Sequence, residues 1–187
     1  TAQPRPLASA GVIGGGTMGA GIAVAMLDAG MTVTMVERDE DSLARGRANV
    51  EKVYDRLVAK GRLSAEAKAA VMARFGGATA YDALSQADVV VEAVFEDMAV
   101  KQAVFAELNR VCKPGAVLAT NTSYLDIDVI AASISRPQDV LGLHFFSPAH
   151  IMKLLEIVVP AKVSADAVAT GFELAKKLRK VAVRAGV

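Results

Sequence analysis

The chain has 187 residues, 53% of them hydrophobic, and carries 21 basic and 20 acidic side chains for a net charge of +1. This length fits one good-sized domain with a sizeable core, and the mixed charges argue against a nucleic-acid or anionic-membrane partner. The apolar runs are too short to span a membrane. The single cysteine, Cys112, excludes an intrachain disulfide, fits a reducing compartment, and is expected at a helix end without a catalytic role.

Short apolar strands alternate with amphipathic helices, which is the pattern of a parallel α/β sheet. Strands are predicted at residues 10–13, 32–37, 89–93, 116–120, 140–145, 154–159 and 180–184. Helices are predicted at residues 17–29, 41–60, 64–75, 98–111, 126–134 and 166–177. The pattern predicts a Rossmann-type, doubly wound, mostly parallel sheet. The second and third helices are expected to protrude as a helical hairpin, and Gly76-Gly77 separates them from the next α/β units.

Residues 1–8 contain Pro4, Arg5 and Pro6 and are expected to form a linker-like segment before a single domain over residues 9–187. The chain begins without a methionine and stops directly after a predicted strand. We therefore expect a domain excised from a longer protein.

The first strand leads into G-G-G-T-M-G, where Gly14, Gly16 and Gly19 fit the pattern G-x-G-x-x-G. The first glycine permits a tight turn, the second lets the backbone approach a diphosphate, and the third lets the helix pack closely on the strand. The second strand ends in Glu37, whose carboxylate can accept both ribose hydroxyls and repel a 2′-phosphate, so NAD is favoured over NADP. A glycine-rich turn without a ligand is the alternative, and the neighbouring Arg38 can accept a 2′-phosphate.

Two histidines, His144 and His150, are present, and His144 lies near the end of a predicted strand. Oxidation of an alcohol by hydride transfer needs a base, and a histidine with a carboxylate on its second nitrogen suits that role. His144 and Glu156 form such a pair if their strands are neighbours. The alternative is a structural histidine at a strand end, with Glu156 paired to Lys153. His150 is expected to be a loop residue.

Three further side chains are candidates at the ends of later strands. Ser123 follows a strand and can bind a substrate oxygen, or it can cap the next helix together with Thr122. Glu96 and Lys101 can hold ribose hydroxyls, or Glu96 can simply favour the start of a helix.

Four motifs together resemble the NAD-binding domain of the 3-hydroxyacyl-CoA dehydrogenase family. They are G-V-I-G-G-G-T-M-G-A-G-I-A, E-A-V-F-E-D, the N-T-S of residues 121–123, and H-F-F-S-P-A-H-I-M-K-L-L-E. The S-P-A-H variant is similar to multifunctional fatty-acid β-oxidation enzymes, in which the dehydrogenase follows an enoyl-CoA hydratase domain. The resemblance implies NAD-dependent oxidation of a 3-hydroxyacyl-CoA to a 3-ketoacyl-CoA.

The resemblance also implies roles for individual residues. His144 would be the base, Glu156 its partner, and Ser123 a ligand of the substrate oxygen. Lys60 would meet the CoA moiety, although a solvated helix-end lysine is the alternative. Contacts with NAD would come from Gly14, Gly16, Thr17, Met18, Gly19, Glu37, Glu96, Lys101, Ser123 and Ser147.

The sequence departs from the family at Tyr124, where a second serine is frequent, and at Ser147, where many members have asparagine. Both departures concern acyl-chain preference. The family's C-terminal helical domain, which completes the acyl-CoA site and carries dimer contacts, is absent, so the chain alone is expected to be weakly active or inactive.

The alternatives are a non-catalytic NAD-binding relative and another β-hydroxyacid dehydrogenase. No metal site is predicted. The composition favours a bacterial cytoplasmic enzyme, with a peroxisomal one as the alternative.

Overall fold

The computed structural model describes residues 1–187, in which eight strands form one sheet covered by helices on both faces. The strands are β1 (Ser9–Ile13), β2 (Thr32–Val36), β3 (Phe75–Ala78), β4 (Val89–Glu92), β5 (Val117–Thr120), β6 (Val140–Phe145), β7 (Leu154–Val159) and β8 (Val181–Gly186). The helices are α1 (Thr17–Asp28), α2 (Glu40–Ala59), α3 (Ala65–Met72), α4 (Met98–Val111), α5 (Ile127–Ala132) and α6 (Ala165–Lys177). Short 3₁₀ turns occupy Tyr81–Leu84 and Pro137–Asp139.

The strand order is β3-β2-β1-β4-β5-β6-β7-β8, and every neighbouring pair is parallel except the antiparallel pair β6–β7. The predicted doubly wound, mostly parallel sheet is confirmed. After β1 the chain builds outward through β2 and β3, then returns to place β4 on the other side of β1. This reversal opens a crevice at the carboxyl ends of β1 and β4, where sheets of this type bind ligands.

Five helices begin at a side chain that accepts a hydrogen bond from a free backbone N–H group of the first turn. These capping residues are Asp39 for α2, Ser64 for α3, Asp97 for α4, Asp126 for α5 and Ser164 for α6. Helix α1 is different because it begins at Gly16, which has no side chain to serve as a cap. None of the helices combines the length and the apolar character that crossing a bilayer requires.

Two apolar layers enclose the sheet. Ile22 and Met26 of α1 pack with Leu174 of α6 on one face, while Phe105 of α4 and Ile130 of α5 pack on the other. The strand β4 contributes to both layers, and its three valines, Val89, Val90 and Val91, are at most 1% exposed. The predicted burial of this strand on both faces is therefore confirmed, as expected for a central parallel strand.

The prediction missed β3, because Gly76-Gly77 was interpreted as a break and the preceding helix was extended to Phe75. The helix ends at Met72, and the two glycines belong to a strand paired with β2. A Cβ at Gly77 would lie 2.7 Å from Leu43 Cδ1 of α2. The Leu43 side chain of α2 therefore packs directly over Gly77, and a larger residue there would displace it.

The predicted hairpin of α2 and α3 is present, and Val50 and Tyr54 of α2 are buried in the core that α1 also lines. The Tyr54 hydroxyl of α2 donates a hydrogen bond to Asp28 Oδ1 over 2.8 Å. Lys68 of α3 bridges back to α2 through Glu51 and Asp55. Ala59, the last residue of α2, and Lys60 after it are exposed.

Residues 1–8 contain no helix or strand, but hydrogen bonds fix them to the domain. Arg5 donates to Gly115 O, Asp139 Oδ1 and Ser164 Oγ, and Asp139 is only 5% exposed. The Ala8 N–H group donates to Asp88 Oδ2 over 2.7 Å. The segment expected to be linker-like is therefore docked along the amino-terminal ends of the strands.

Strand β8 forms one edge of the sheet and pairs only with β7. Val181 and Val183 are 63% and 45% exposed, and Arg184 is the one charged residue in the strand. This edge is therefore both apolar and open.

Replacing Arg5 tests whether the docked segment stabilises the domain. We expect Arg5→Ala to lower the free energy of unfolding by about 1–3 kcal/mol, because the partly buried Asp139 loses one of its two arginine partners. Urea unfolding measures the free energy of unfolding of both proteins. Arg38→Ala, at a side chain that is 71% exposed, is the control and should leave stability unchanged. Equal effects from both variants would contradict a stabilising role for the segment.

Candidate active site

A turn of three glycines joins β1 to α1 and approaches the start of the loop after β4. Gly14 has φ +101°, and a Cβ there would lie 2.9 Å from Ala93 O. A Cβ at Gly19 would lie 2.0 Å from Gly14 O. Neither position accepts a side chain, so the turn can close only with glycine at both. This geometry agrees with the predicted roles of the first glycine in the tight turn and of the third in helix packing.

The amino terminus of α1 is open to a ligand. A Cβ built on Gly16 meets no atom within 4 Å, and Thr17 beside it is exposed. The first turn carries no acidic residue and no capping side chain. The positive end of the helix dipole and its free N–H groups therefore have no protein partner, which fits a diphosphate group.

Glu37 lies at the end of β2, against the same turn. Its Oε2 atom accepts a hydrogen bond from the Gly15 N–H group over 2.9 Å. On the other side of the turn, Asn49 Nδ2 of α2 donates to Gly15 O over 2.9 Å. A carboxylate held here can accept from ribose hydroxyls and disfavours a nearby phosphate.

The glycine turn and Glu37 line a cleft of about 950 Å³. Its other wall includes Ala93, Val94 and Phe95 from the loop after β4. The volume lies within the range of cofactor sites. The cleft thus joins the predicted diphosphate and ribose positions in one space.

Lys101 lies differently from the expectation that it would hold ribose hydroxyls. Its side chain is 0% exposed, and Nζ lies 2.5 Å from Glu92 Oε2 and 3.3 Å from Glu96 Oε1. The lysine points into the protein because Glu92, at the end of β4, is itself fully buried and needs a counter-ion. Direct contact between Lys101 and a ligand is therefore not available in this structure, whereas Glu96 is 27% exposed.

His144, Glu156 and Ser123 come together at the ends of β5, β6 and β7. His144 and Glu156 are directly opposite in the antiparallel pair β6–β7, so their side chains share one face of the sheet. His144 Nδ1 lies 3.8 Å from Glu156 Oε2, and His144 Nε2 lies 3.4 Å from Ser123 Oγ. The histidine therefore has a carboxylate at one ring nitrogen and a hydroxyl at the other.

Two neighbours that the sequence analysis did not single out support His144. Asn121 Oδ1 accepts a hydrogen bond from the Phe145 N–H group over 2.9 Å, which ties the end of β5 to β6. The Phe146 ring lies 4.5 Å from the His144 ring, centre to centre. The position of Asn121 in N-T-S was the available signal for its role.

Two predicted contact residues lie apart from this group. Ser147 is exposed in the loop after β6, and Lys60 is exposed at the carboxyl end of α2. Neither makes a hydrogen bond or an ion pair with the side chains described above.

Two other titratable residues have no evident part in the site. Burial lowers the pKa of His150, whose Nδ1 atom has no hydrogen-bond partner. Cys112 caps the end of α4, as expected, and burial raises the pKa of its thiol to about 11. No cluster of three or more histidine, cysteine or acidic side chains is arranged to hold a metal ion.

Residues 9–187 match the family described as 3-hydroxyacyl-CoA dehydrogenase, NAD binding domain. The peroxisomal bifunctional enzyme of Cavia porcellus is 46% identical over 187 residues, which are 100% of this chain and 26% of that protein. The 3-hydroxybutyryl-CoA dehydrogenase of Clostridioides difficile is 39% identical over 175 residues, covering 92% of this chain and 61% of that protein. The chain spans about a quarter of the length of the peroxisomal relatives.

Solved structures are similar over the same region. The crystal structure of FadB2 from M. tuberculosis superposes with a TM-score of 0.94 at 38% identity, covering 97% of this chain and 65% of that chain. The dehydrogenase part of multifunctional enzyme 1 from C. elegans gives a TM-score of 0.88 at 32% identity, covering 99% and 42%. The eight-stranded sheet is thus the fold of known 3-hydroxyacyl-CoA dehydrogenases.

Substitutions at two glycines distinguish an effect on NADH binding from an effect on the stability of the fold. We expect Gly16→Ala to change stability by less than about 1 kcal/mol, because φ is −70° and the space is open. The added methyl group should nevertheless raise the Kd for NADH about tenfold or more. Gly19→Ala should destabilise the fold by about 1–3 kcal/mol or more, because its Cβ meets a backbone carbonyl.

For both variants, calorimetric titration measures the Kd for NADH and urea unfolding measures the free energy of unfolding. Unchanged NADH affinity in Gly16→Ala would show that the diphosphate does not lie on this turn.

Proposed function

The chain belongs to the 3-hydroxyacyl-CoA dehydrogenase family as its NAD-binding domain, and we propose that it carries the catalytic pair of that activity. The proposed reaction is the NAD-dependent oxidation of a 3-hydroxyacyl-CoA to a 3-ketoacyl-CoA in fatty-acid β-oxidation. The names of the relatives, which include peroxisomal fatty-acid β-oxidation multifunctional proteins, support this substrate class.

One observation carries the proposal: a histidine between a carboxylate and a hydroxyl at the ligand-binding edge of the sheet. His144 Nε2 lies 3.4 Å from Ser123 Oγ. A substrate oxygen bound to Ser123 would therefore lie close to this nitrogen. The 3.8 Å to Glu156 exceeds a hydrogen bond, but such contacts are often long in ligand-free sites and shorten on binding. Three groups with complementary roles meet at this edge, which a chance surface ion pair would not produce.

In the proposed reaction His144 is the general base. Its Nε2 atom takes the proton of the substrate's 3-hydroxyl group, and Ser123 Oγ holds the same oxygen. Glu156 faces Nδ1, keeps the hydrogen on that nitrogen and stabilises the imidazolium that forms. NAD, when bound, supplies the acceptor for the hydride that leaves carbon 3. The proton and the hydride together account for the two hydrogens that the substrate loses.

The glycine turn and Glu37 fit the cofactor. Gly14 and Gly19 let the turn close, Gly16 leaves space for a diphosphate, and the N–H groups around Thr17 and Met18 would bind it. Glu37 would hold the adenosine ribose. Glu96 and Ser147 would contribute from the far side of the cleft, and Lys101 would act through Glu96, since its ammonium group is buried.

Substrate and partner contacts beyond this chain are also part of the proposal. Lys60 would meet the acidic CoA moiety, since its ammonium group is free at a helix end. A helical domain such as the family has after this one would complete the acyl-CoA site and carry a dimer contact. The relatives, which extend well beyond the matched region, support that expectation.

We propose that the protein is located in the bacterial cytoplasm, because its amino-acid composition favours a bacterial cytoplasmic enzyme. A bacterial relative and several peroxisomal ones are similar to the chain, and they support both predicted compartments. The choice between them stays a prediction.

Cofactor choice is the first test. We expect NADH to bind about tenfold or more tightly than NADPH, because the Glu37 carboxylate repels a 2′-phosphate. The chain has no tryptophan, so nicotinamide fluorescence can be followed without tryptophan background. Acetoacetyl-CoA-dependent NADH oxidation is then measured on the same sample. Absent NADH binding would overturn the proposal, and equal affinities would overturn the role of Glu37.

Replacing His144 tests the base. In the full-length protein we expect His144→Gln to lower kcat about 100- to 10,000-fold while the Kd for NADH stays unchanged, because only proton transfer is lost. His150→Gln, at the other histidine, is the matched control and should retain turnover. Survival of turnover in His144→Gln would show that another group is the base.

A further inference from the structure

One loop joins the two strands that carry the proposed catalytic pair. Residues 146–153 separate the end of β6 from the start of β7. His144 and Glu156 are the last but one pair of the antiparallel ladder, so they lie one step from this loop. The geometry of the pair therefore depends on how the loop is held, because loops are the more mobile parts of a domain.

Lys180, the residue before β8, holds this loop through its side chain. Its ammonium group donates hydrogen bonds to Ala149 O over 2.7 Å and to Met152 O over 2.5 Å. The same group lies 5.9 Å from the centre of the Phe145 ring, at the end of β6. One side chain thus contacts the loop at two points and the preceding strand at a third.

The backbone of Lys180 is itself fixed by two hydrogen bonds. Its N–H group donates to Ala175 O of α6 over 2.9 Å. The next N–H group along the chain, that of Val181, donates to Lys153 O over 2.7 Å. The lysine therefore joins the end of α6 to the start of β8, and its side chain extends from a rigid position.

The loop also packs against α1. Ala149 is 1% exposed, and a Cβ built on Gly21 of α1 would lie 3.1 Å from Ala149 Cβ. The N–H groups of Ile151 and Met152 both donate to Pro148 O over 2.9 Å, which closes the loop into a turn. Helix α1 supports this turn by packing, whereas Lys180 binds two of its carbonyl groups.

The charge of Lys180 has no counter-ion here. Burial lowers the pKa of its ammonium group, the nearby Lys153 lowers the pKa further, and no acidic side chain opposes these effects. A cation that is partly removed from water without a carboxylate partner costs free energy. Methionine would fill a similar space, but it has no N–H group for the two carbonyls. What the ammonium group adds is a fixed position of the loop.

We propose that Lys180 is a positioning residue for the catalytic pair. By fixing the loop between β6 and β7, it keeps Glu156 opposite His144. On the side of β5, the Asn121 side chain holds the Phe145 N–H group. The inference rests on the proposed function, because the lysine acts through the loop on the pair that carries that function.

A double-mutant cycle on kcat in the full-length protein tests the inference, with acetoacetyl-CoA-dependent NADH oxidation measured at saturating NADH. We expect Lys180→Met to lower kcat about tenfold, because small misplacements of catalytic groups are costly. In a Glu156→Gln background the same change should lower kcat less than about twofold, because the pair that it positions is already lost. A lysine that only stabilises the fold would give the same factor in both backgrounds.

Lys153→Met is the matched control. Lys153 lies in the same loop and is exposed, and its carbonyl group, which Val181 binds, is unaltered by the change. Its kcat should stay within about twofold of the original. Lys180→Gln, whose shorter neutral side chain cannot bridge both carbonyls, should show the loss expected of Lys180→Met and replaces it in the cycle if that variant does not fold.

The outcomes separate the inference from the proposed function. A loss of kcat by the same factor in both backgrounds, or no loss in either, would overturn the positioning role of Lys180. A strong loss in the original protein with little loss in the Glu156→Gln background would support it. Unchanged kcat in Glu156→Gln alone would instead overturn the proposed role of Glu156, on which the inference rests.

Discussion

The site depends on the close approach of three backbone segments at the carboxyl end of β1. The Gly14 N–H group donates to Val36 O of β2, the Ala93 N–H group donates to Ile13 O, and Gly19 lies against Gly14 O. Each contact excludes a Cβ or uses a backbone hydrogen bond, so the turn has almost no freedom. Helix α1 can begin with an uncapped, outward-facing terminus because this turn fixes its direction. The cleft, the ribose carboxylate and the loop after β4 are arranged around that terminus.

Much of this architecture could be predicted from local patterns. The alternation of strands and helices, the glycine spacing and the acid after β2 are short-range signals, and each has a direct physical reason. The pair His144 and Glu156 needed one further condition, that β6 and β7 be neighbours, which the antiparallel register meets residue for residue. The sequence contains the two side chains, but only the sheet makes them adjacent.

The failures have equally physical causes. Strand β3 was missed because glycine usually interrupts strands, whereas here Gly77 lets the Leu43 side chain of α2 pack directly over the strand. Lys101 was expected to hold ribose hydroxyls, and its inward direction follows from Glu92, whose burial only the fold reveals. Residues 1–8 were expected to be linker-like because they contain prolines, whereas Arg5 pairs with Asp139, which is distant in sequence. Each miss involves a long-range contact that composition does not encode.

The exposed edge at β8 has a consequence for handling the protein. A parallel edge strand offers free N–H and C=O groups to another chain, and natural proteins guard such edges with charges, bulges or a covering element. Arg184 is the only guarding charge in β8, and Val181 and Val183 present apolar side chains beside it. Samples of the isolated chain are therefore exposed to intermolecular strand addition as concentration rises.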